Sequence, residues 1–296
     1  MTPVRDPALT ARLLRRAGRA SVAVAAMLIA MKAVAYVATD SVSLLSSLID
    51  SLLDLAASLV NMLAIRHALT PADAEHRFGH GKAEPLAGLA QSAFIAGSAI
   101  LLFFEAARRL AAPQPVANTG AGIAVMVVSI LATLALVAYQ RSVVRRTGSV
   151  AIGADSLHYQ GDLLLNGSVI VSLLASRYMT VPWLDPLFGI GIGLFILWSA
   201  LGILRLSVTQ LMDRELPDEE REQIRAIALA RPEVLGVHDL KTRASGPQTF
   251  VQMHVELDGE IPLSRAHAVA EDVEAAIRRA FPHAEIIIHQ DPVAAR

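Results

Sequence analysis

The stretch from Val42 to Leu69 constrains this chain most. It is apolar and long enough to cross a bilayer as a helix, yet it reads Leu48-Ile49-Asp50-Ser51-Leu52-Leu53-Asp54-Leu55 at its centre. Asp50 and Asp54 stand four residues apart, so a helix puts both on one face, one turn apart. Each costs roughly 2.5–3.5 kcal/mol to insert at mid-membrane. Ionisable groups kept at that cost face a bundle interior and mark ion pathways.

A second apolar run opens with Ala154-Asp155-Ser156-Leu157-His158-Tyr159-Gln160-Gly161-Asp162, where His158 and Asp162 again have the i, i+4 spacing. If the two helices face each other, Asp50, Asp54, His158 and Asp162 converge. Three carboxylates and an imidazole suit a tetrahedral divalent transition metal. One such pair alone would read better as helix-end or hydrogen-bonding residues. Two pairs on separate membrane helices favour an ion site.

The rest of the chain agrees with a membrane setting. Of 296 residues, 54% are hydrophobic, and the mean hydropathy is +0.48. The absence of cysteine excludes disulfides and thiolate metal sites. A net charge of −1 gives no electrostatic basis for a nucleic-acid partner. Arg12, Arg15, Arg16 and Arg19 precede an apolar run too long for a signal-peptide core, with no small-residue cleavage pattern after it.

Six membrane helices are expected, at about Ala20–Ala38, Val42–Leu69, Pro85–Leu110, Thr119–Val144, Ala154–Tyr178 and Leu187–Val208. Lys32 in the first either faces the bundle interior or snorkels. Gly189, Gly191 and Gly193 in the sixth offer a close-packing face. Basic residues before helix one, after helix two (Arg66, Arg77, Lys82) and after helix four (Arg141, Arg145, Arg146) lie on one side. The Thr39–Ser41 turn and the Pro113–Asn118 loop are poor in them, while Arg108, Arg109 and Arg177 go against the trend. This asymmetry places both termini in the cytoplasm of a multi-pass protein of the cytoplasmic (inner) membrane.

From Asp213 the composition turns polar, which divides the chain into a transmembrane domain, 1–212, and a cytoplasmic domain, 213–296. Patterning there predicts a helix over Asp218–Arg231, strands over Val237–Arg243 and Thr249–Leu257, a helix over Arg265–Phe281 and a strand over Glu285–His289. An αββαβ order implies a small two-layer α/β domain.

Two further donor clusters emerge. The loop Pro71–Lys82 holds Asp73, His76 and His80 at spacings that let all three meet on one turn, with Glu75 a spare carboxylate. A polar loop carries such residues in any case. In the cytoplasmic domain His238, Asp239, His254, His267, His289 and Asp291 can gather at one sheet edge, or stand as solvated surface groups. His67 and His283 fit no cluster and read as bystanders.

These segments resemble the cation diffusion facilitator family, most closely its bacterial zinc and ferrous-iron efflux branch. The resemblance rests on Ser46–Asp54, His76-Arg77-Phe78-Gly79-His80-Gly81-Lys82, Ala154–Asp162, His238–Arg243 and Ile288-His289-Gln290-Asp291-Pro292, and covers nearly the whole chain. It implies six membrane helices, a metallochaperone-like cytoplasmic domain and a homodimer. It implies a transport site of Asp50, Asp54, His158 and Asp162 and a loop site of Asp73, His76 and His80. The implied cytoplasmic binuclear site is His238, His254, His267, His289 and Asp291, with Gln290 a weak or outer ligand. Lys82 and Asp213 look like the family's charge interlock near the membrane surface. The expected substrate is zinc, with cadmium and ferrous iron close behind, exchanged for protons; zinc is also the expected regulatory ion. No HExxH motif is present, so an enzyme is not expected. A membrane-anchored metal sensor and a proton-coupled transporter of another solute are the competing readings.

Overall fold

The computed structural model describes residues 6–39, 42–111, 120–176 and 184–293. The Pro113–Asn118 loop, Arg177 and residues 40–41 of the first turn lie outside them. Six long helices come first: α1 (Pro7–Thr39), α2 (Val42–Ala68), α3 (Ala83–Ala111), α4 (Gly120–Thr147), α5 (Val150–Ser176) and α6 (Leu184–Leu211). Then follow α7 (Asp218–Leu229), β1 (Gly236–Ser245), β2 (Gln248–Asp258), α8 (Leu263–Ala280) and β3 (Ala284–Val293), the expected αββαβ order.

Among the described residues, five of the six long helices are apolar and long enough to span a membrane on their own. The exception is α5, which carries Asp155, His158, Gln160, Asp162 and Asn166. It packs among α4, α6 and α3 as the sixth member of the bundle. A helix of this kind is stable in a bilayer because its polar side chains face other helices rather than lipid.

The first helix begins at Pro7, well before Ala20. Asp6 caps it, its Oδ1 accepting the Ala8 N–H at 2.9 Å. Leu14 and Ala17 then bury against Ile65, Ala87, Val143, Ala151 and Ile152, so the arginine-rich segment is part of the bundle rather than a tail. α5 joins two packed sets of helices. α1, α2, α4 and α5 associate around a buried polar interior, and α3 pairs most extensively with α6. Of the three expected close-packing glycines only Gly193 is tight: a Cβ there would stand 2.9 Å from the Phe103 ring, whereas Gly191 has open space. Lys32 points into the bundle, where Nζ donates to Ser51 Oγ at 2.7 Å and to the Ser47 carbonyl at 3.1 Å.

In the soluble domain the sheet order is β1-β2-β3. β1 and β2 form an antiparallel hairpin, and α8 crosses over so that β3 lies parallel to β2. The inward residues Val251, Met253, Val255 and Leu257 of β2 alternate with outward ones, as a strand with one covered face requires. They bury against Ile224 and Ala228 of α7 and Val269, Val273 and Ile277 of α8. The opposite sheet face carries Gln252, His254 and Glu256. β3 continues through Pro292 to Val293, four residues past its expected end; it is an edge strand, where a missing N–H does not break a ladder.

Candidate metal centres

Three donor clusters form, each on different elements. The first lies inside the bundle. His158 Nε2 stands 2.9 Å from Asp54 Oδ1 and 3.8 Å from Asp162 Oδ2. Ligands 2.0–2.1 Å from a tetrahedral zinc are separated by about 3.3 Å. The observed separations straddle that value, and one donor atom from each of the three residues lies within 4.8 Å of the others. His158 is buried, and Phe94 meets its ring edge-on at 5.8 Å. Asp50 lines the same pocket, with Asp54, His158 and Asp162, but stands outside the close trio. Gly161 lets α6 approach, since a Cβ there would lie 3.0 Å from Ile196 Cδ1.

Beneath this site lies a network to which the spacing arguments assigned no role. Asp155 is 0% exposed and accepts hydrogen bonds from Ser21 Oγ at 2.6 Å, Gln140 Nε2 at 2.7 Å and Ser58 Oγ at 3.3 Å. Ser58 also shares a 2.9 Å hydrogen bond with the Tyr159 hydroxyl. Four helices meet here. Ser58 follows Asp54 by one turn on α2, and Asp155 precedes His158 by one turn on α5. The network therefore sets the relative rotation of the two helices that carry the trio. A lone buried carboxylate is a local signal for such a network; its partners on α1 and α4 are not.

The second cluster lies between α2 and α3. Asp73 Oδ1 accepts the Glu75 and His76 backbone N–H groups at 2.9 and 2.6 Å, folding the loop back on itself. The His76 N–H holds the Asp73 carboxyl below its ordinary range. Asp73 is 3.5 Å from His76 Nδ1 and 3.3 Å from His80 Nε2, and the three residues place donor atoms within 4.8 Å of one another. The loop also docks on the soluble domain. Arg243 lies 4.4 Å over the Phe250 ring and 5.3 Å over Phe78. Lys82 Nζ reaches Asp213 Oδ1 at 3.0 Å and Arg243 reaches it at 3.3 Å, so the expected Lys82–Asp213 interlock has a third member. Burial raises the Asp213 carboxyl, but Lys82 and Arg243 outweigh it and hold the group below its ordinary range.

The third cluster is a row across the sheet. His238 of β1 pairs with His254 of β2, which pairs with His289 of β3. Asp291, two residues along β3, shares their face. Its Oδ2 lies 2.8 Å from His254 Nδ1 and 3.1 Å from His238 Nε2, and its Oδ1 3.3 Å from His289 Nε2. His254 foremost holds the Asp291 carboxyl below its ordinary range. Donor atoms of His238, His254 and Asp291 fall within 4.8 Å of one another. Glu256, absent from the sequence-level set, has its Oε1 3.1 Å from His238 Nδ1 and accepts from it when that nitrogen carries the proton. A ladder irregularity between His238 and Lys241, with Asp239 at φ 47°, turns this strand end toward the cluster. His267 does not join it. It sits on the exposed side of α8, 3.4 Å from Glu271, because the inward face of that helix is taken by Val269, Val273 and Ile277. Gln290, between His289 and Asp291, points to the other side of the strand.

A bundle of spanning helices with ionisable donors at its heart, coupled to a two-layer domain with its own donor row, defines a membrane transporter of cations. Residues 19–212 match the cation efflux transmembrane domain and residues 216–293 the cytoplasmic domain of cation efflux proteins. The chain belongs to the cation efflux family. It is 50% identical over 283 residues to the cation-efflux pump FieF of Klebsiella pneumoniae, covering 95% of this chain and 93% of that protein. The FieF pump of Serratia proteamaculans is 50% identical over 282 residues, covering 95% and 94%. Among solved structures, the zinc form of CzrB matches 28% of this chain and 97% of its own at 41% identity, with a TM-score of 0.27.

Proposed function

We propose that this protein exports divalent metal ions, zinc foremost and cadmium and ferrous iron after it, from the cytoplasm across the inner membrane in exchange for protons. The observation that carries the reading is the convergence of Asp54, His158 and Asp162 between two membrane helices, with Asp50 in the same pocket. Metal enters a site whose donors are deprotonated, since carboxylates and neutral imidazole must lose protons to bind a cation. His158 is the pivot. When its imidazole carries a proton, the charge stands between Asp54 and Asp162, where the ion's charge stands in the loaded state. Proton and metal thus compete for the same three side chains, which is the requirement for exchange. Alternation between inward- and outward-open states of the bundle supplies access to the site from each side in turn.

The loop and sheet clusters hold resident ions in this reading. Asp73, His76 and His80 hold one, and His238, His254, His289 and Asp291 hold the regulatory zinc, through which two copies of the chain associate as a homodimer. A resident ion supplies a fixed positive charge and cross-links the elements that bind it; it biases transport only through different affinities for the two states.

The test is zinc flux into proteoliposomes under an imposed pH gradient. Parent protein should move zinc in proportion to the gradient, and Asp54→Ala should not. Zinc transport by Asp54→Ala at the parent rate would defeat the proposal. Zinc bound by the parent but never moved would leave a sensor.

A further inference from the structure

The loop cluster has a neighbour that spacing alone dismissed. His67 lies on the last turn of α2, and its ring centre is 4.5 Å from that of His80 at an interplanar angle of 62°. The His76 ring centre is likewise 4.6 Å from that of His80. Two imidazoles bound to one tetrahedral zinc have ring centres about 5 Å apart, from a 2.0–2.1 Å bond plus about 1.1 Å from nitrogen to ring centre. Both neighbours of His80 stand at that scale. His80 itself is only 6% exposed in its side chain, and its Nδ1 is buried with no hydrogen-bond partner among the described residues. His80 therefore presents Nε2 to the Asp73 carboxylate at 3.3 Å, with the rings of His67 and His76 both against its own and its second nitrogen buried without a partner, an arrangement that a packed core residue would not leave unsatisfied.

We propose that His67 is the fourth protein ligand of the loop site, completing one carboxylate and three imidazoles around a resident divalent metal. This rests on the reading of Asp73, His76 and His80 as a metal site. Rotation of one side chain brings His67 in: it is exposed, and its backbone is pinned by Thr70, whose N–H and hydroxyl donate to the His67 carbonyl at 3.0 and 2.6 Å. The consequence is a change of class. Three ligands and a water make an exchangeable site, whereas four protein ligands make a closed, structural one. The ion would tie the end of α2, the helix of Asp54, to the loop that docks through Phe78 on Arg243 and Phe250. The closed site is then a strut from the soluble domain to a transport helix.

The experiment uses the full chain in detergent, carrying Asp54→Ala and Asp291→Ala so that the remaining strong zinc equivalent is the loop's. Zinc affinity is read against a chromophoric chelator, and cobalt(II) visible absorption reports coordination number. His80→Ala should remove the equivalent. His67→Phe, which keeps a ring against His80 but has no nitrogen, should weaken it about tenfold or more and dim the tetrahedral cobalt band. Parent affinity in His67→Phe would overturn the proposal, reducing His67 to ring packing. Weakened affinity with an unchanged cobalt band would overturn it too, making His67 an outer partner. An equivalent that survives His80→Ala would defeat the underlying loop-site reading first, before His67 is in question.

Discussion

Replacing Asp155 with alanine tests whether the buried network holds the transport helices in place. A naive sum would charge three lost hydrogen bonds to the mutant. The structure argues for less. Ser21 Oγ keeps the Ala17 carbonyl at 3.1 Å, and Ser58 keeps the Tyr159 hydroxyl at 2.9 Å. Gln140 Nε2 alone loses its best acceptor, retaining Ser21 Oγ at 2.9 Å. One under-satisfied buried donor costs about 1–3 kcal/mol. Interhelical polar contacts in membranes average nearer about 0.6 kcal/mol, which favours the lower half of that range. At about 2–4 °C per kcal/mol for a large domain, the unfolding midpoint in detergent should fall by roughly 2–8 °C. Zinc affinity at the central site should fall by about tenfold, as for other residues that orient a metal ligand without touching the metal. Both are measured on one preparation, by a thermal scan and by chelator competition. A parental midpoint together with parental zinc affinity would refute the reasoning. So would a raised midpoint, which would mean that the buried carboxylate is a net cost to the fold.

Two other outcomes follow from the docking of the loop on the soluble domain. Asp213→Asn should weaken the Lys82–Asp213–Arg243 contact by only about 0.2–1 kcal/mol, because the group is 43% exposed and screened. The folded carboxyl is depressed, so its contribution is complete above the ordinary aspartate value of 3.8 and is lost as pH falls through the depressed one. The difference in midpoint between parent and Asp213→Asn should therefore be flat from neutral pH down to that range and close below it; a difference that closes near neutrality would contradict the assignment. Gly81→Ala should undock the loop, since a Cβ there would run into the Ser245 carbonyl, which is backbone and cannot swing away. Overpacking of this kind costs about 1–3 kcal/mol. Distances between spin labels on the loop and on the hairpin should broaden, and an unchanged distribution would show that the contact is not tight.

Much of the site was legible because helix periodicity is local. Asp50 with Asp54, and His158 with Asp162, share faces by spacing alone, and the insertion cost of such residues marks them before any fold is known. The αββαβ order was likewise readable from strand alternation and helix patterning. Register was not. The row His238–His254–His289 depends on the irregularity between His238 and Lys241 and on the parallel docking of β3, neither of which is written in a short window. Residue type and the family resemblance both group His267 with that row, but the apolar stripe of α8 turns it outward. The role of Asp155 is not legible in its local sequence, because its partners Ser21 and Gln140 come from helices far away in the chain.

What the sequence determined by itself is the inventory and its local geometry: spanning helices, carboxylates paired at one-turn spacing, a histidine-bearing loop and a small α/β domain. Those follow from hydrophobic length, from the helix period and from turn chemistry, which act over a few residues. Only the tertiary structure decided which donors meet. It drew Asp54, His158 and Asp162 together and left Asp50 at the pocket wall. It also lined up three histidines across the sheet and folded the loop so that His67 and His76 both stand against His80. A coordination shell is a convergence of side chains within a few ångströms, and that convergence is set by packing between distant elements.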